Sequence, residues 1–316
     1  MRIFENADFN FIGIRKITYV ISGVLFLTAV LGIAIRGLQY GIDFKGGQEF
    51  IVQFQKPADV THTRGVLTRG LKSEPEVKQY GSKTMLLVRT EAGGTQEEIE
   101  NNIENTLKQA YPDNQAKIVN SYIVGPRFAN DLKRGAIYSV FTAVFVIFIY
   151  VWLRFRNWAY STGAVIALIH DVTITLGLFT ILDHYLPFNM DLDESLIAAL
   201  LTIFGYSIND TVVVFDRIRE NLHLFKTQPL EEIMNKSVNQ TLSRTIITSG
   251  TTLFVVLVLF IFGGEVLKDL SFALLVGIVV GTYSSIFIAS AAALDLQKWR
   301  ASVSGTKKTK AKASVR

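Results

Sequence analysis

An aspartate inside an apolar segment is the residue of this sequence best placed to do chemistry. Asp210 lies in GYSINDTVVVFDRIRE, between the apolar runs Leu196–Phe204 and Val212–Phe215. Because a carboxylate at the centre of a membrane-spanning helix costs about 2.5–3.5 kcal/mol to insert, such residues face other helices or a wet cavity and mark proton or ion pathways. Asp210 is therefore a candidate proton-coupling residue. The alternative is a structural aspartate whose hydrogen bonds only hold helices together.

Arg244, on the next apolar segment, is the predicted partner of Asp210. It lies in LSRTIITSGTT, and antiparallel neighbouring helices would place it at a depth similar to that of Asp210. Helical spacing puts Thr248, Thr251 and Val255 on the same face as Arg244, which predicts a polar stripe in which Thr248 helps to hold a water wire. The alternative is that Arg244 extends to the lipid headgroups, since it lies only about one turn inside the segment.

A histidine and an aspartate are adjacent near the middle of another apolar segment. His170 and Asp171 lie in AVIALIHDVTITLG. An imidazole and a carboxyl group at this depth could form a proton relay, or they could be a mutually satisfied polar pair that fixes helix packing. Ser207, three residues before Asp210, is a further candidate for the water wire.

The residues that the sequence lacks argue against several kinds of active site. It has no cysteine, and its four histidines are too scattered to suggest a metal site. It contains no phosphate loop of the Walker type, no G-x-S-x-G and no H-E-x-x-H. We therefore expect no cofactor, no metal and no catalytic residues, so that the chain is not an enzyme. Since Lys and Arg lie mostly at the ends of apolar segments, the net charge of +5 favours a lipid bilayer over nucleic acid as the partner.

Six apolar segments carry these residues and predict a membrane protein. The 316 residues are 49% hydrophobic and have a mean hydropathy of +0.32. Runs of about 20 apolar residues suffice to cross roughly 30 Å of hydrocarbon as helix. The first run is predicted to be an uncleaved span, because it is longer than a signal-peptide core and no clear cleavage site follows it. The predicted spans are Ile17–Ile35, Gly135–Leu153, Ala159–Ile181, Leu196–Phe215, Thr245–Phe262 and Leu270–Leu294.

Small residues recur at every fourth position of the last predicted span. This spacing lets helices approach closely. It predicts packing and not a site. The residues are Ala273, Gly277, Gly281, Ser285 and Ala289.

The charges that flank the spans predict their orientation. Basic residues cluster before the first span and after the second, fourth and sixth, whereas the alternate loops are acidic or nearly neutral. Since cytoplasmic loops carry an excess of Lys and Arg, both termini are predicted to be cytoplasmic. The basic residues are Arg2, Arg15, Lys16, Arg154, Arg156, Arg217, Arg219, Lys298 and Arg300.

The polar stretch Gly37–Asn130 predicts a folded domain on the other side of the membrane. Its predicted order of elements, β-α-β-β-α-β, is typical of a ferredoxin-like fold, and Thr95 with Glu98 forms a capping box that begins the second helix. The predicted strands are Gln48–Phe54, Glu76–Tyr80, Thr84–Thr90 and Lys117–Val124, and the predicted helices are Pro57–Lys72 and Thr95–Ala110.

Four regions of the chain follow from these patterns. Residues 1–36 form the N-terminus and the first span, 37–130 the domain, 131–296 the other five spans and 297–316 a basic tail. From Lys307 onward the tail is low in complexity, which predicts a disordered, solvated segment.

Several blocks of the sequence resemble the SecF branch of the SecD/SecF family of protein-export membrane proteins, which belongs to the resistance-nodulation-division (RND) superfamily. The block around Asp210 is long and specific, whereas GIDFKGG alone would be weaker, since SecD carries a similar element. The resemblance spans nearly the whole chain. The blocks are GIDFKGG (Gly41–Gly47), VGP (Val124–Pro126), GYSINDTVVVFDRIREN (Gly205–Asn221), QTLSRTIITSGTT (Gln240–Thr252) and FGG (Phe262–Gly264).

The resemblance implies a membrane all-α bundle of six transmembrane helices, one RND-type half, with an inserted α+β ferredoxin-like periplasmic domain. It implies a multi-pass protein of the bacterial plasma (inner) membrane. SecF pairs with SecD beside the SecYEG channel and its ATPase SecA, and the pair uses the proton motive force to promote late, ATP-independent export of a preprotein. The family's intramembrane aspartate and arginine match Asp210 and Arg244, and the periplasmic domains are expected to capture the emerging polypeptide.

Two other functions remain open at the level of sequence. An RND-type small-molecule exporter would use the same buried charges, although its porter domains would be larger than residues 37–130. A non-catalytic scaffold of the translocon would need Asp210 only for stability. Transport of dyes would identify the first, and a neutral isostere at Asp210 without effect on export would identify the second.

Overall fold

The computed structural model describes residues 8–313 apart from 72, 74, 92, 184, 187, 189, 265 and 266, and for residues 304–313 it describes the backbone alone. Within this part of the chain, six helices are long and apolar enough to cross a membrane, as predicted. The last of them contains a π-helical segment that the sequence analysis did not predict. In chain order the spans are α1 (Arg15–Arg36), α5 (Pro126–Phe155), α6 (Trp158–Leu182), α7 (Glu194–Leu224), α8 (Leu230–Phe262), and finally α9 (Lys268–Ser284), the π-helical segment Ser285–Ala289 and α10 (Ser290–Ala313).

Several helices extend beyond the apolar runs that predicted them. Helix α5 begins at Pro126, where proline is favoured in the first turn, and α8 begins at Leu230, fifteen residues before the predicted Thr245. An apolar run marks only the part of a helix that lies in hydrocarbon, whereas backbone hydrogen bonding continues through the amphipathic sequence beyond it. The tail also differs from its prediction, because α10 continues to Ala313 through Lys and Ala, which are good helix formers.

The polar stretch folds as the predicted ferredoxin-like domain. All neighbouring strands pair antiparallel in the order β2-β3-β1-β4. Alternate residues of β1 face opposite sides of the sheet, so Phe50, Val52 and Phe54 pack under α3 and α4 while Glu49 and Ile51 face the opposite side. The predicted capping box at Thr95 is present. The elements are α2 (Ile42–Lys45), β1 (Gly47–Phe54), α3 (Val60–Leu71), β2 (Glu76–Tyr80), β3 (Ser82–Thr90), α4 (Gln96–Ala110) and β4 (Ala116–Val124).

Two glycines connect the first span to the sheet. Gly46 and Gly47 have φ angles of +75° and +124°, a region that L side chains rarely adopt. A Cβ on Gly47 would lie 2.9 Å from the carbonyl oxygen of Thr90. Both glycines at the end of GIDFKGG are therefore required by the backbone conformation. They turn the chain into β1, where it passes close to a neighbouring strand.

An ion-pair network holds the sheet against the loop between α6 and α7. Asp191 lies 2.9 Å from both Lys78 and Arg89, and its side chain is fully buried. Lys78 also pairs with Asp183 at 3.2 Å, and Arg89 with Glu49 at 2.7 Å. Burial alone would raise the pKa of Asp191, but the two neighbouring cations hold that pKa below its usual range. The domain is thus fixed to the membrane helices by paired buried charges.

Helices α1 and α6 approach each other through small residues. A Cβ on Gly177 of α6 would overlap the Cβ and the Cα of Ala29. At the far end of α1, Arg15 contacts Glu231 of α8 and Asp295 of α10. We call this end of the bundle the terminal end, and the end next to the sheet the domain end.

We expect Arg89→Met to lower the free energy of unfolding by about 3–5 kcal/mol, because it leaves Asp191 and Glu49 buried with fewer partners. Chemical unfolding in detergent measures this loss. Arg154→Met is the matched control, since Arg154 makes an exposed pair with Asp216 and should have little effect. Acidification should also destabilise the protein, since the stabilisation from the lowered pKa of Asp191 is present above the ordinary carboxyl pKa and is lost as pH falls through the lowered one. Equal losses in the two variants would contradict the role of the network.

We expect Gly177→Ala to lower the free energy of unfolding by about 1–3 kcal/mol, because the added methyl group overlaps the backbone of Ala29 and forces α1 away from α6. The control is Gly135→Ala on α5, where a Cβ would meet nothing within 4 Å. Thermal unfolding of both variants in detergent compares them, and an unchanged midpoint for Gly177→Ala would show that the two helices are not in close contact.

Candidate functional site

Asp210 is buried inside the helix bundle. It lies on α7 and is 3% exposed. The hydroxyl group of Ser249 on α8 donates to its Oδ2 at 3.4 Å, and the hydroxyl group of Thr282 on α9 donates to Ser249 at 2.7 Å. A chain of two hydroxyl groups therefore joins the carboxyl group to the last span.

Arg244 lies near Asp210 but is not paired with it. Its charge acts on Asp210, yet the two side chains form no ion pair within the described part of the chain. Arg244 lies five residues before Ser249, or about 7.5 Å along the helix axis toward the terminal end. Its side chain is exposed on the surface of this chain.

The predicted polar stripe on α8 faces away from Asp210. Thr251 and Val255 are exposed like Arg244, and Thr248 is partly exposed. Ser249, the residue after Thr248, supplies the hydroxyl group that meets Asp210. Helical periodicity groups residues onto one face, but only the rotation of α8 about its axis decides which face meets α7, and that rotation is set by tertiary packing.

Asp171 makes three side-chain hydrogen bonds inside the bundle. Its side chain is fully buried, and its Oδ2 accepts from Ser207 of α7 and Ser284 of α9, each at 2.8 Å. Its Oδ1 lies 3.0 Å from Nδ1 of His170. The predicted association of His170 with Asp171 is therefore present. The two side chains bond to each other although the residues are adjacent on the helix. Ser207, predicted for a water wire, bonds directly to Asp171.

Both buried carboxyl groups connect to the same turn of α9. Thr282 leads to Asp210 and Ser284 contacts Asp171. Gly281 allows this approach, since its missing Cβ would lie 3.2 Å from Cβ of Ser207 and 3.5 Å from Oδ2 of Asp171. The π-helical segment begins at Ser285, directly after Ser284. Such segments often occur at functional sites.

Four residues of this site were missed by the sequence analysis. Ser249, Thr282 and Ser284 bond to the carboxyl groups or to each other, and the hydroxyl group of Thr245 is buried with no partner among the described residues. Their signal was weak, because Ser and Thr in apolar helices usually bond to their own backbone. The stripe of small residues that includes Gly281 was the nearest indication, since it marks where another helix comes close.

A pair of carboxyl groups also lies at the domain end. Asp193 caps α7 by accepting from the backbone of Leu196 at 2.8 Å, and it is hydrogen-bonded to Asp269 at the start of α9. Burial raises the pKa of Asp193, and the adjacent negative charge of Asp269 raises it further. Both residues line a cavity of about 360 Å³ beneath the sheet, together with Glu49 and Arg89.

We expect Asp171→Ala to be more destabilising than Asp210→Ala. The first change removes the acceptor of three buried donors and should cost about 2–3 kcal/mol, whereas the second removes one long hydrogen bond and should cost about 1 kcal/mol or less. Thermal unfolding in detergent compares the two. Equal destabilisation would show that the network around Asp171 contributes little to the fold.

The chain matches two family profiles. The profile described as "Protein export membrane protein SecD/SecF, C-terminal" matches residues 102–299, and the "SecD/SecF GG Motif" matches residues 31–58. The second range contains Gly46 and Gly47, whose backbone geometry requires glycine.

Relatives resemble the chain over most of its length. It is 57% identical over 297 residues to "Protein translocase subunit SecF" of Rhodothermus marinus, which covers 94% of this chain and 96% of the relative. It is 38% identical to the protein of the same name from Haemophilus influenzae, over 91% of this chain and 86% of the relative.

Solved structures agree with this similarity. The chain superposes on the crystal structure of SecDF from Thermus thermophilus, described as a translocon-associated membrane protein, with a TM-score of 0.83 and 35% identity over 94% of this chain. A second SecDF structure, in a form called super-membrane-facing, gives a TM-score of 0.68 at 33% identity. In both cases the match covers 40% of the longer SecDF chain. By its motifs, its fold and these relatives, the chain belongs to the SecD/SecF family of protein export membrane proteins.

Proposed function

We propose that this chain is the SecF subunit of a Sec protein translocase and that, together with SecD, it uses the proton motive force to promote late, ATP-independent steps of protein export across the inner membrane. Asp210 is the protonation site, Arg244 the neighbouring counter-charge, and Asp171 with His170 a second proton-binding pair. Ser207, which bonds to Asp171, and Thr248, one turn along α8 from Arg244, help to hold water at these two groups.

One observation carries this proposal. Two buried carboxyl groups on different helices, Asp210 and Asp171, both reach the turn of α9 that contains Thr282 and Ser284. An ionised carboxylate only accepts hydrogen bonds, whereas a protonated one also donates. Each change of protonation therefore alters the bonds that hold α9, next to a π-helical segment where the regular helix is already interrupted. This gives a proton a way to move a helix.

A partner subunit is supported by the polar surface of the bundle. Arg244 and Asn209 are exposed on this chain within helices that cross the membrane. Polar and charged side chains in a bilayer normally face protein or a water-filled cavity. The SecDF chains that match here contain a further 60% of polypeptide beyond the matched part. We infer that a SecD subunit covers this surface and gives Arg244 a protein environment.

The proposed orientation places the terminal end in the cytoplasm and the sheet in the periplasm, because basic residues flank the spans at the terminal end. The domain then faces the emerging preprotein beside SecYEG, on the side opposite SecA. Asp193 and Asp269 then lie at the periplasmic end of the bundle. The cavity beneath the sheet gives protons access to this pair of carboxyl groups.

We expect Asp210→Asn to abolish the part of export that depends on the proton gradient. The experiment uses proteoliposomes with SecYEG, SecA and SecD, in which preprotein transport is started with ATP, ATP is then removed, and completion is measured with and without an imposed gradient. Asn keeps the shape and accepts from Ser249 but cannot ionise, so export should fall to the level seen without a gradient.

Two controls separate the alternatives. Asp210→Glu keeps an ionisable group and should retain part of the response, and Asp216→Asn, an exposed change on the same helix, should retain all of it. Normal gradient-dependent export by folded Asp210→Asn would leave the scaffold function. Gradient-dependent efflux of dyes by the same vesicles would favour a small-molecule exporter.

A further inference from the structure

A line of polar residues on α1 is not used by the proposed site. Thr18 and Ser22 are buried at 4% and 5% exposure in a helix that crosses the membrane. Together with Arg15 and Tyr19 they recur at intervals of three and four residues, so they share one face of α1. This face meets the last span and α6. Buried hydroxyl groups at this depth need hydrogen-bond partners. The hydrogen-bonded groups follow one another along α1, from the terminal end toward the middle of the bundle.

At the terminal end, the series begins with charged groups that reach solvent. The hydroxyl group of Tyr19 donates to Asp295 at 3.0 Å, and Arg15 pairs with the other oxygen of Asp295 at 3.2 Å. Asp295 remains 42% exposed. Glu231 of α8 pairs with Arg15, and Lys298 of the last span pairs with Glu231. These are the charged groups that face Tyr19 and Asp295 from the neighbouring helices.

One turn deeper, two hydroxyl groups form the next link. Ser22 and Tyr283 are 2.9 Å apart, and either can be the donor. Tyr283 also donates to the backbone carbonyl of Thr18 at 3.2 Å. Groups that exchange donor and acceptor roles are suited to passing a proton along a hydrogen-bonded chain.

The series ends at the histidine of the buried pair. The ring of Tyr283 lies 6.2 Å from the ring of His170, centroid to centroid. When Nδ1 of His170 donates to Asp171, Nε2 carries the lone pair and is the atom that can take up a proton. That Nε2 atom is buried and has no hydrogen-bond partner in the part of the chain that the structure describes.

One crevice connects the three links. Its volume is about 440 Å³, and Tyr19, Ser22 and His170 all line it. The rest of its lining is apolar, so these three side chains are the polar partners available to a water molecule there. The rise from Tyr19 to Ser22 is about 4.5 Å along α1, so the two residues lie about one helical turn apart.

We propose that Asp295, Tyr19, Ser22, Tyr283 and His170 form a proton path from the terminal end of the bundle to Asp171, along the seam between α1, α6 and the last span. The path rests on the proposed proton coupling and extends it. It assigns positioning and relay roles to α1, which carries neither of the two buried carboxyl groups. A proton enters or leaves at Asp295 and is passed by exchange of hydrogen-bond roles, so no group changes its net charge permanently.

The test compares single variants in proteoliposomes that contain SecD, with an imposed gradient and a trapped pH-sensitive dye as well as preprotein export. We expect Tyr283→Phe and Ser22→Ala each to lower gradient-driven proton uptake and export about tenfold, which corresponds to about 1.4 kcal/mol of activation free energy. Ser22→Thr restores a hydroxyl group and should recover most of the rate. Tyr138→Phe on α5, where the side chain is 70% exposed, should have no effect.

Each outcome decides the proposal. A tenfold loss that Ser22→Thr rescues, together with a rate that depends on pH at the terminal end in the wild type and not in Tyr283→Phe, supports the path. Normal rates for Tyr283→Phe and Ser22→Ala while Asp210→Asn is inactive overturn the path and leave the proposed function intact. Loss in Ser22→Thr equal to that in Ser22→Ala, with a lowered unfolding temperature, overturns the path in favour of packing. Normal rates in all variants, including Asp210→Asn, overturn both.

Discussion

The arrangement of the bundle depends on keeping two carboxyl groups in an apolar interior. An uncompensated carboxylate at this depth is costly, so Asp171 and Asp210 require donors from other helices. Ser207, Ser249 and Ser284 supply these donors from three different helices. The hydrogen bonds fix the relative rotation of α6, α7, α8 and α9, and the small residues around Gly281 let the helices come close enough to form them. The hydrogen bonds that satisfy the two carboxyl groups are therefore the same ones that hold the four helices in register.

The same constraint makes the site responsive. A well-packed apolar interface has one stable arrangement, whereas a hydrogen-bonded carboxyl group has two protonation states with different bonding requirements. The two carboxyl groups share α9, where Thr282 and Ser284 lie two residues apart. The π-helical segment that follows leaves this span with a local irregularity at which a helix bends more easily than in a continuous α-helix. In the proposed function, proton uptake at either carboxyl group would therefore act on the same helix.

The domain is attached to these helices by ion pairs between full charges, whereas hydroxyl groups bond to the carboxyl groups inside the bundle. Asp191, Lys78 and Arg89 form a buried network of full charges, and α2 contacts the start of α7 through Asp43, which accepts from the backbone of Glu194. Helix α7 carries both Ser207 and Asp210, so the contact of Asp43 with Glu194 joins the helix of the site to the domain. An exposed pair such as Arg154 and Asp216 would contribute less to such an attachment.

The sequence by itself determined the type and order of the long helices and of the strands, the number of spans and the residues with unusual chemistry. Apolar runs show where a helix can lie in hydrocarbon, and the aromatic and β-branched residues of Gln48–Phe54 favour a strand. An ionisable residue among apolar ones stands out without any structure, as Asp210, Asp171 and His170 did. Motifs around Asp210 and in GIDFKGG identified the family. The helix ends were less well defined, because the polar half of α8 has no hydropathy signal.

Only the tertiary structure decided which groups meet. It turned Ser249 rather than Thr248 toward Asp210, left Arg244 at the surface of this chain, and brought Ser207 and Ser284 to Asp171. The physical reason is that a helix presents its residues every 100° or so around its axis, and the rotation that selects one face depends on packing with helices distant in sequence. The contact of α1 with the last span has the same origin. Ser22 and Tyr283 are 261 residues apart, and no local sequence pattern predicts their hydrogen bond.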